Sequence, residues 1–231
     1  EDCNLEFKDY AGVGVAYKLI CALEGEENGV TDSFTDLVTI GTVADVMPLI
    51  KENRELVRRG VQLIADSDRM GIQSLIEATG LSERRMTSTT VAFGICPRIN
   101  AAGRMGSADR AIRLLLSEDY EEANALAQEI NDENATRQQT EQEILNQAVA
   151  QIKNNPNWIY QNVLVVAGEG WHDGVVGIVA SRLVEKYGKP TLVITVDGDD
   201  AKGSGRSIDG FNLYDALSHC GEGLTHCLPR E

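Results

Sequence analysis

The sequence predicts an α/β fold in which a mainly helical first half is followed by alternating strands and helices. Three observations support this class. Apolar residues recur at helical spacing over residues 10–23 and 51–66. Residues 118–153 contain neither proline nor glycine and keep helical periodicity at both ends. After Pro156, short β-branched runs alternate with a helical segment, as in α/β units.

The first half contains four predicted helices and two extended segments. Residues 36–43 are a short, apolar, β-branched run, which we interpret as a buried strand. Asp45 would then lie at the carboxyl end of a strand, where ligand groups gather in α/β sheets. Residues 87–93 fit a strand or an extended approach to a loop at 97–105. The helices are predicted at 10–23, 51–66, 70–80 and 108–116.

The second half begins with the longest periodic segment of the chain. Ser117 is the predicted N-cap of a helix over 118–153. This helix is apolar at both ends and polar over 131–142, which is typical of a strut between two domains. Strands are predicted at 162–167 and 190–196, a turn at 197–200, and a strand or loop at 203–208. Two more helices are predicted at 175–187, ended by a Gly188 cap, and at 212–220.

The composition limits the classes of function. No window approaches the roughly 18 apolar residues that a membrane span needs, so no membrane partner is expected. The five cysteines lack CxxC spacing, which indicates reduced thiols in the cytoplasm and no zinc site. A net charge of −15 argues against a broad nucleic-acid-coating face. It leaves room for local phosphate pockets, because the arginines are clustered.

Asp45 is a candidate metal ligand. A carboxylate at the end of a strand suits a hard divalent cation. The alternative is a loop aspartate that accepts hydrogen bonds from neighbouring backbone N–H groups. A single aspartate does not hold a catalytic metal by itself.

The segment PRINAAGRM (97–105) is a candidate phosphate-binding loop. Arg98 and Arg104 flank Asn100, and Gly103 allows the backbone to approach a ligand. Two guanidinium groups in one loop can bind phosphate in a bidentate manner. The alternative is an interface loop whose arginines pair with the abundant carboxylates of the chain.

Two further candidates follow in the second half. Trp171 and His172 lie between a strand and a helix, where helix N-terminal amides favour an anion. His172 can bond a phosphate or sugar, whereas Trp171 either stacks on a base or packs in the core. KGSGRS (202–207) combines two glycines, two hydroxyls and two cations, as a phosphate cradle does. A hairpin turn is its alternative, and neither segment has Walker or dinucleotide spacing.

Together and in this order, the segments resemble the RecJ-type single-strand DNA exonucleases of the DHH (Asp-His-His) phosphoesterase superfamily. The matching stretches span about residues 9 to 225, nearly the whole chain. They are AGVGVAYKLICAL, DLVTIGTVADVMPLIKENRELVRRG, PRINAAGRM, the acidic-polar long helix, WHDGVVGIVASRLVEKYGKP and KGSGRSIDGFNLYDAL.

The resemblance implies three parts: the C-terminal part of a DHH domain over 1–116, a long connecting helix over 117–155, and a smaller, incomplete α/β DHH-associated domain over 156–231. It implies divalent metal, manganese or magnesium, and single-stranded DNA that threads the cleft between the domains. The strand is degraded from its 5′ end in recombination and repair. A single-strand-binding protein or a helicase is implied as a partner of the whole protein.

The resemblance also assigns roles residue by residue. Asp45 matches a catalytic metal ligand. Ser204 and Arg206 match the residues that hold the DNA 5′ phosphate, and His172 matches a substrate-side residue of the second domain. The full set of implied substrate-binding residues is Arg98, Asn100, Arg104, His172, Ser204 and Arg206.

The sequence departs from the family pattern at both ends. The earlier Asp-x-Asp and Asp-His-His motifs should precede residue 9, and the tail 227–231 stands where a Gly-Gly-His motif and an OB-fold should follow. We therefore interpret the chain as an internal fragment, with truncation or a change of frame near Thr225. Because two-metal hydrolysis needs more ligands than Asp45, we expect no nuclease activity from this chain alone.

The sequence leaves two alternative functions open. One is a metal-free relative that only binds nucleic acid, which the intact GTVAD motif with Asp45 disfavours. The other is a DHH-family phosphodiesterase or phosphatase for short oligonucleotides or small phosphates. The long polar helix and the PRINAAGR segment favour a polymer substrate instead.

Overall fold

The computed structural model describes residues 7–24, 29 and 32–220. It is rich in helices and contains one three-stranded sheet within this described part, so the predicted α/β class is confirmed. The chain divides into two compact units, residues up to Ala135 and residues from Thr136 onward. The tail 227–231 and the change of frame near Thr225 lie outside the described residues, and the domain bounds given above stay predictions.

The first unit is helical throughout. In chain order its helical segments are α1 Gly12–Glu24, α2 Thr35–Ala44, α3 Lys51–Ala65, α4 Met70–Ala78, α5 Ser88–Thr90, a π-helical turn Val91–Ile95, α6 Cys96–Met105 and α7 Asp109–Leu116. Helices α1, α3, α4 and α7 confirm the four predicted helices. A short 3₁₀ turn, Asp32–Phe34, precedes α2.

The strand predicted over 36–43 is wrong, because these residues form α2. Helix α2 is buried on several faces: Val38 and Ile40 lie in the core, and the hydroxyl of the buried Thr39 donates to the Leu56 carbonyl at 3.1 Å. A helix buried on several faces loses its amphipathic period, so a short apolar run of this kind is indistinguishable from a buried strand. Asp45 consequently lies at the end of a helix and not at the edge of a sheet.

The extended segment 87–93 and the loop 97–105 are also wrong, because the chain is helical from Ser88 to Met105. Thr87 caps α5 by accepting the Thr90 N–H at 3.1 Å. Pro97 lacks an N–H, so in an α-helix the Phe93 carbonyl would lose its partner. The chain forms a π-helical turn there, and Arg98 Nη1 donates to the Phe93 carbonyl at 3.2 Å. The Arg98 side chain thus supplies a donor to the carbonyl whose α-helical partner Pro97 cannot provide.

The long helix is confirmed as α8, Tyr120–Asn154, and it runs through the boundary between the two units. Its predicted cap is wrong by two residues: Asp119 Oδ1 accepts the Glu122 N–H at 2.7 Å, and Ser117 Oγ accepts the Asp119 N–H at 3.3 Å. Its middle carries a buried carboxylate, Glu141, with 3% of its side chain exposed. Arg137 Nη1 and Arg182 Nε lie 2.8 and 2.6 Å from its two oxygens.

The second unit is a small α/β unit. The strands order as β1-β2-β3, with β1 parallel to β2 and β2 antiparallel to β3. KGSGRS therefore lies mainly on a strand, in which Ser204 pairs with Val193. Of the two structures predicted for 203–208, a strand and a loop, the strand is confirmed as far as Arg206, and the phosphate cradle stays a prediction. The bounds are β1 Leu164–Glu169, α9 Asp173–Tyr187, β2 Thr191–Asp197, β3 Asp200–Arg206 and α10 Leu213–His219. A 3₁₀ turn, Pro156–Tyr160, precedes β1.

Each unit has its own apolar core. In the first unit, Ile72, Leu75, Ile95 and Leu114 are fully buried beside the apolar N-terminal stripe of α8. In the second, the inner face of α9 is buried together with alternate residues of β1 and β2. Gly188 ends α9 in the left-handed region at φ 63°, as predicted for a C-cap glycine. None of the helices in the described ranges has the length and apolarity needed to cross a membrane.

Candidate functional site

Asp45 is held by the backbone at the C-terminal end of α2. Its own N–H donates to the Gly41 carbonyl at 3.0 Å. The next two N–H groups close a Schellman motif: Val46 donates to Val43 and Met47 donates to Thr42, at 3.2 and 3.1 Å. The Asp45 side chain is exposed, so its carboxylate is accessible to a cation.

Asp45 lies beside the start of α6. Burial raises the pKa of the Cys96 thiol to about 12, and the negative charge of Asp45 adds to this increase. The Cys96 thiol also donates to the Ile40 carbonyl of α2 at 3.5 Å. The end of α2 and the start of α6 are therefore neighbours, and Asp45 lies close to the helix that carries Arg98.

Arg98, Asn100 and Arg104 share α6. Arg98 is half-buried, and its Nε donates to Asn131 Oδ1 at 3.3 Å. Asn100 and Arg104 are four residues apart on the helix and are both exposed. We call Asp45, Arg98, Asn100 and Arg104 the α2–α6 cluster, since they lie on the neighbouring ends of two helices and on the second of these helices. They comprise one exposed carboxylate, two guanidinium groups and an amide.

The neighbouring arginines behave differently. Arg110 forms an ion pair with Glu133, and Arg113 Nη2 lies 2.6 Å from Glu122 Oε1. Both arginines lie in α7, after the 97–105 segment, and pair with carboxylates. In contrast, the hydrogen bonds described above for Arg98 go to neutral oxygens, those of Phe93 and Asn131.

The described residues contain no group of three or more His, Cys, Asp or Glu side chains that could hold a metal ion. Asp45 fits a divalent cation as one hard oxygen ligand. The remaining ligands of such a site are not found in the described part of the chain.

Trp171 and His172 connect β1 to α9. Trp171 is buried, and its Nε1 donates to Gln147 Oε1 at 2.8 Å, so the packing alternative holds and stacking on a base does not. His172 is the N-cap of α9: its Nδ1 accepts the Gly174 N–H at 3.1 Å. Because Nδ1 accepts, the proton of the neutral imidazole is on Nε2, which leaves an N–H donor at the start of this helix.

Ser204 and Arg206 lie against the first turns of α9. Gly177 makes this approach possible: a Cβ atom built there would lie 2.9 Å from Ser204 Oγ and 3.2 Å from Arg206 Nη2. Arg206 Nη1 donates to the Gly205 carbonyl at 2.7 Å and to Ser204 Oγ at 3.4 Å. The chain therefore brings the hydroxyl and the guanidinium group together at one end of α9.

Lys202 continues this face of β3, since alternate residues of a strand point the same way. Its Nζ lies 3.7 Å from Asp173 Oδ2 in the first turn of α9. We call His172, Gly177, Ser204 and Arg206 the α9–β3 cluster, since they lie at the N-cap and first turns of α9 and on the strand that packs there. It combines a helix N-terminus, a hydroxyl and a guanidinium group, which is chemistry suited to a phosphate.

Sequence reasoning missed Gly177, Phe93 and Val46. A glycine inside a helical pattern is a signal of close approach, and Gly177 carries it in GVVGIVASR. Phe93 gives no such signal. The sequence alone shows neither the π-helical turn in which Phe93 lies nor the exposure of its side chain. Val46 is unexpected, since its φ of 55° lies in the left-handed region that β-branched residues avoid.

Comparison with known proteins finds similarity to one domain family and to several RecJ proteins. Residues 155–224 match the DHHA1 domain. The chain is 42% identical to the single-stranded-DNA-specific exonuclease RecJ of Bacillus subtilis over 226 residues, and 36% identical to that of Escherichia coli over 233 residues. It superposes on RecJ of Thermus thermophilus in complex with Mn²⁺ with a TM-score of 0.84 at 37% identity.

The chain is similar to RecJ proteins over nearly its whole length. These matches confirm the resemblance that the motifs indicated. The alignment with the Bacillus subtilis RecJ includes 97% of this chain but 28% of that protein, and the one with Escherichia coli RecJ includes 94% and 40%. The Thermus thermophilus structure is covered to 33%. The chain thus spans less than half the length of these three RecJ proteins, so the activity of a whole RecJ is a proposal here.

Proposed function

We propose that this chain is the substrate-holding part of a metal-dependent exonuclease that removes nucleotides from the 5′ end of single-stranded DNA in recombination and repair. The similarity to RecJ over nearly the whole chain supports the reaction class. A cytoplasmic location fits the free thiols of the described Cys21, Cys96 and Cys220. A single-strand-binding protein or a helicase is the partner we propose for the whole protein.

The α9–β3 cluster is the observation that carries this proposal. A terminal phosphate seated on it would accept hydrogen bonds from the Ser204 hydroxyl, the Arg206 guanidinium group and the imidazole Nε2–H of His172. The positive end of the α9 dipole would favour its charge further. A terminal phosphate carries more negative charge than an internal phosphodiester, so such a pocket selects a strand end over the middle of a strand.

In the α2–α6 cluster we propose that Arg98, Asn100 and Arg104 hold the strand and that Asp45 is one metal ligand. Manganese or magnesium, when bound, would activate water and neutralise the leaving oxygen. Both ions occur in solved structures of Thermus thermophilus RecJ. The chain's own contribution is the placement of Asp45 by the Schellman motif and of Arg98 by the Phe93 carbonyl.

The experiment compares binding of a 5′-phosphorylated and a 5′-hydroxyl oligothymidylate, labelled at the 3′ end, by fluorescence anisotropy. We expect the unchanged chain to prefer the phosphorylated strand. Arg206→Ala should abolish this preference and weaken binding about tenfold, because a hydrogen-bonded charged pair is lost. Arg206→Lys should restore it only in part, since lysine cannot bind in a bidentate manner.

Lys186→Ala is the matched control. Lys186 lies in the last turn of α9, over the Tyr187 ring, so this variant loses the same charge at the opposite end of the same helix. It should keep the preference for the 5′ phosphate. Equal binding of the two strands by the unchanged chain, or equal losses in the two alanine variants, would contradict the proposal.

A further inference from the structure

Phe93 is an unusually exposed aromatic residue in the first unit. Its side chain and backbone together keep 76% of their reference surface exposed, whereas Val91 and Ile95 of the same π-helical turn are fully buried. The turn therefore packs through its two aliphatic residues and presents the ring outward. Isolated π-helical turns occur frequently at functional sites, which makes an outward aromatic residue there worth explaining.

The sequence on both sides of Phe93 is rich in cationic residues. Residues 84–108 contain four arginines and no aspartate or glutamate, in a chain whose net charge is −15. Arg98 is joined to the turn directly, because its guanidinium group donates to the Phe93 carbonyl at 3.2 Å. An anionic ligand with flat apolar groups would match this combination of charge and ring.

We propose that Phe93 stacks on a base of the bound single strand while Arg98 binds an adjacent phosphate. Every base offers a π-face, so this contact holds a strand without reading its sequence, as a processive exonuclease requires. The inference rests on the proposed function, since it names a contact of the same substrate.

The test uses three variants of the full 231-residue chain. Phe93→Ala removes the ring, Phe93→Leu keeps an apolar side chain without a π-face, and Phe93→Trp enlarges the π-face. Stacking predicts that the alanine and leucine variants both bind oligothymidylate about 5- to 100-fold more weakly, and that the tryptophan variant binds at least as tightly as the unchanged chain. All three should melt at the same temperature as the unchanged chain, because the ring is exposed.

Two controls make the result specific to bases. An abasic oligomer of equal length should bind the unchanged chain and the Phe93→Ala variant equally. Tyr160→Ala removes another exposed aromatic residue, with 80% exposure on the 3₁₀ turn of the second unit, and should leave binding unchanged. The Phe93→Trp variant adds a direct readout: its extra fluorescence should be quenched by oligothymidylate and not by the abasic oligomer.

The outcomes separate the two proposals. If the chain binds oligothymidylate but Phe93→Ala binds it equally well, the stacking contact is wrong and the proposed function stands. If Phe93→Leu binds like the unchanged chain, the contact is apolar packing and stacking is again wrong. A chain that dimerises through this face, and becomes monomeric as Phe93→Ala in light scattering, also overturns it. A chain that binds no single-stranded DNA overturns both proposals.

Discussion

At the scale of the residue, Val46 is held in a conformation that its side chain disfavours. It occupies the position after the C-cap of α2, where a Schellman motif requires φ near +55° and glycine is the usual residue. With 86% of its surface exposed, Val46 gains little packing in return. Because Asp45 immediately precedes it, the strained turn fixes the backbone that carries the candidate metal ligand.

Relieving this strain should stabilise the fold. A left-handed conformation costs a residue with a Cβ about 1–2 kcal/mol. We expect Val46→Gly to raise the free energy of unfolding by about 1 kcal/mol after the extra entropy of the unfolded glycine is subtracted. The melting temperature, measured by circular dichroism, should rise by about 2–4 °C.

Val15→Gly provides the control with the opposite sign. Val15 is also exposed, but it lies inside α1, where glycine destabilises a helix by up to about 1 kcal/mol. This variant should melt at a lower temperature than the unchanged chain. A lower melting temperature for Val46→Gly as well would show that the valine stabilises the turn.

The polar and charged candidate residues lie in segments that carry a clear sequence signal, and they could be named from it, whereas Gly177 and Phe93 were missed. The surroundings of the named residues could not be predicted in this way. The sequence of PRINAAGRM shows two arginines, but it does not show that Arg98 donates to the Phe93 carbonyl. The approach of Ser204 and Arg206 to Gly177 likewise depends on tertiary contact between β3 and α9.

At the scale of the element, amphipathic helices were predictable and buried ones were not. Helix α3 alternates exposed and buried faces, so its period is visible over 51–65. Helix α2 is enclosed on several sides, and the hydroxyl of its buried Thr39 donates to the Leu56 carbonyl, a contact that local sequence does not encode. The long α8 was predictable because no helix breaker interrupts it.

The contact between α9 and β3 leads to a prediction for a substitution at Gly177. Gly177→Ala adds a methyl group where Ser204 Oγ and Arg206 Nη2 now lie, so both polar groups must move. Alanine favours a helix over glycine by about 1 kcal/mol, which offsets the cost of that movement. We expect unchanged or slightly greater stability together with loss of the preference for a 5′-phosphorylated strand in the anisotropy assay.

Gly12→Ala is the matched control for this experiment, because it makes the same glycine-to-alanine substitution in another helix. Gly12 starts α1, and a Cβ atom there meets nothing within 4 Å. The variant should gain helix stability and keep the preference for the 5′ phosphate. If Gly177→Ala also keeps that preference, the close approach of β3 to α9 has no part in phosphate binding.

At the scale of the whole molecule, charge is separated along the chain. The net charge is −15, yet Arg98 and Arg104 lie in a segment without carboxylates, and Lys202 and Arg206 share one strand. Acidic residues pair with other cations, as Glu122 and Glu133 do with Arg113 and Arg110, and Asp173 lies 3.7 Å from Lys202. A chain of this kind should bind a strand locally, at its two cationic clusters, and repel it from the rest of its surface.

This chain should therefore bind single-stranded DNA without hydrolysing it. Two-metal hydrolysis needs both cations clamped about 4 Å apart by several ligands. Asp45 offers one carboxylate, and the described residues provide no group of three metal-binding side chains. We predict that the 231-residue chain binds 5′-phosphorylated oligothymidylate in the presence of Mn²⁺ without shortening it. Denaturing electrophoresis of the strand measures this, with a whole RecJ as the positive control. Stepwise shortening that Asp45→Ala abolishes would mean that the chain completes a catalytic metal site by itself.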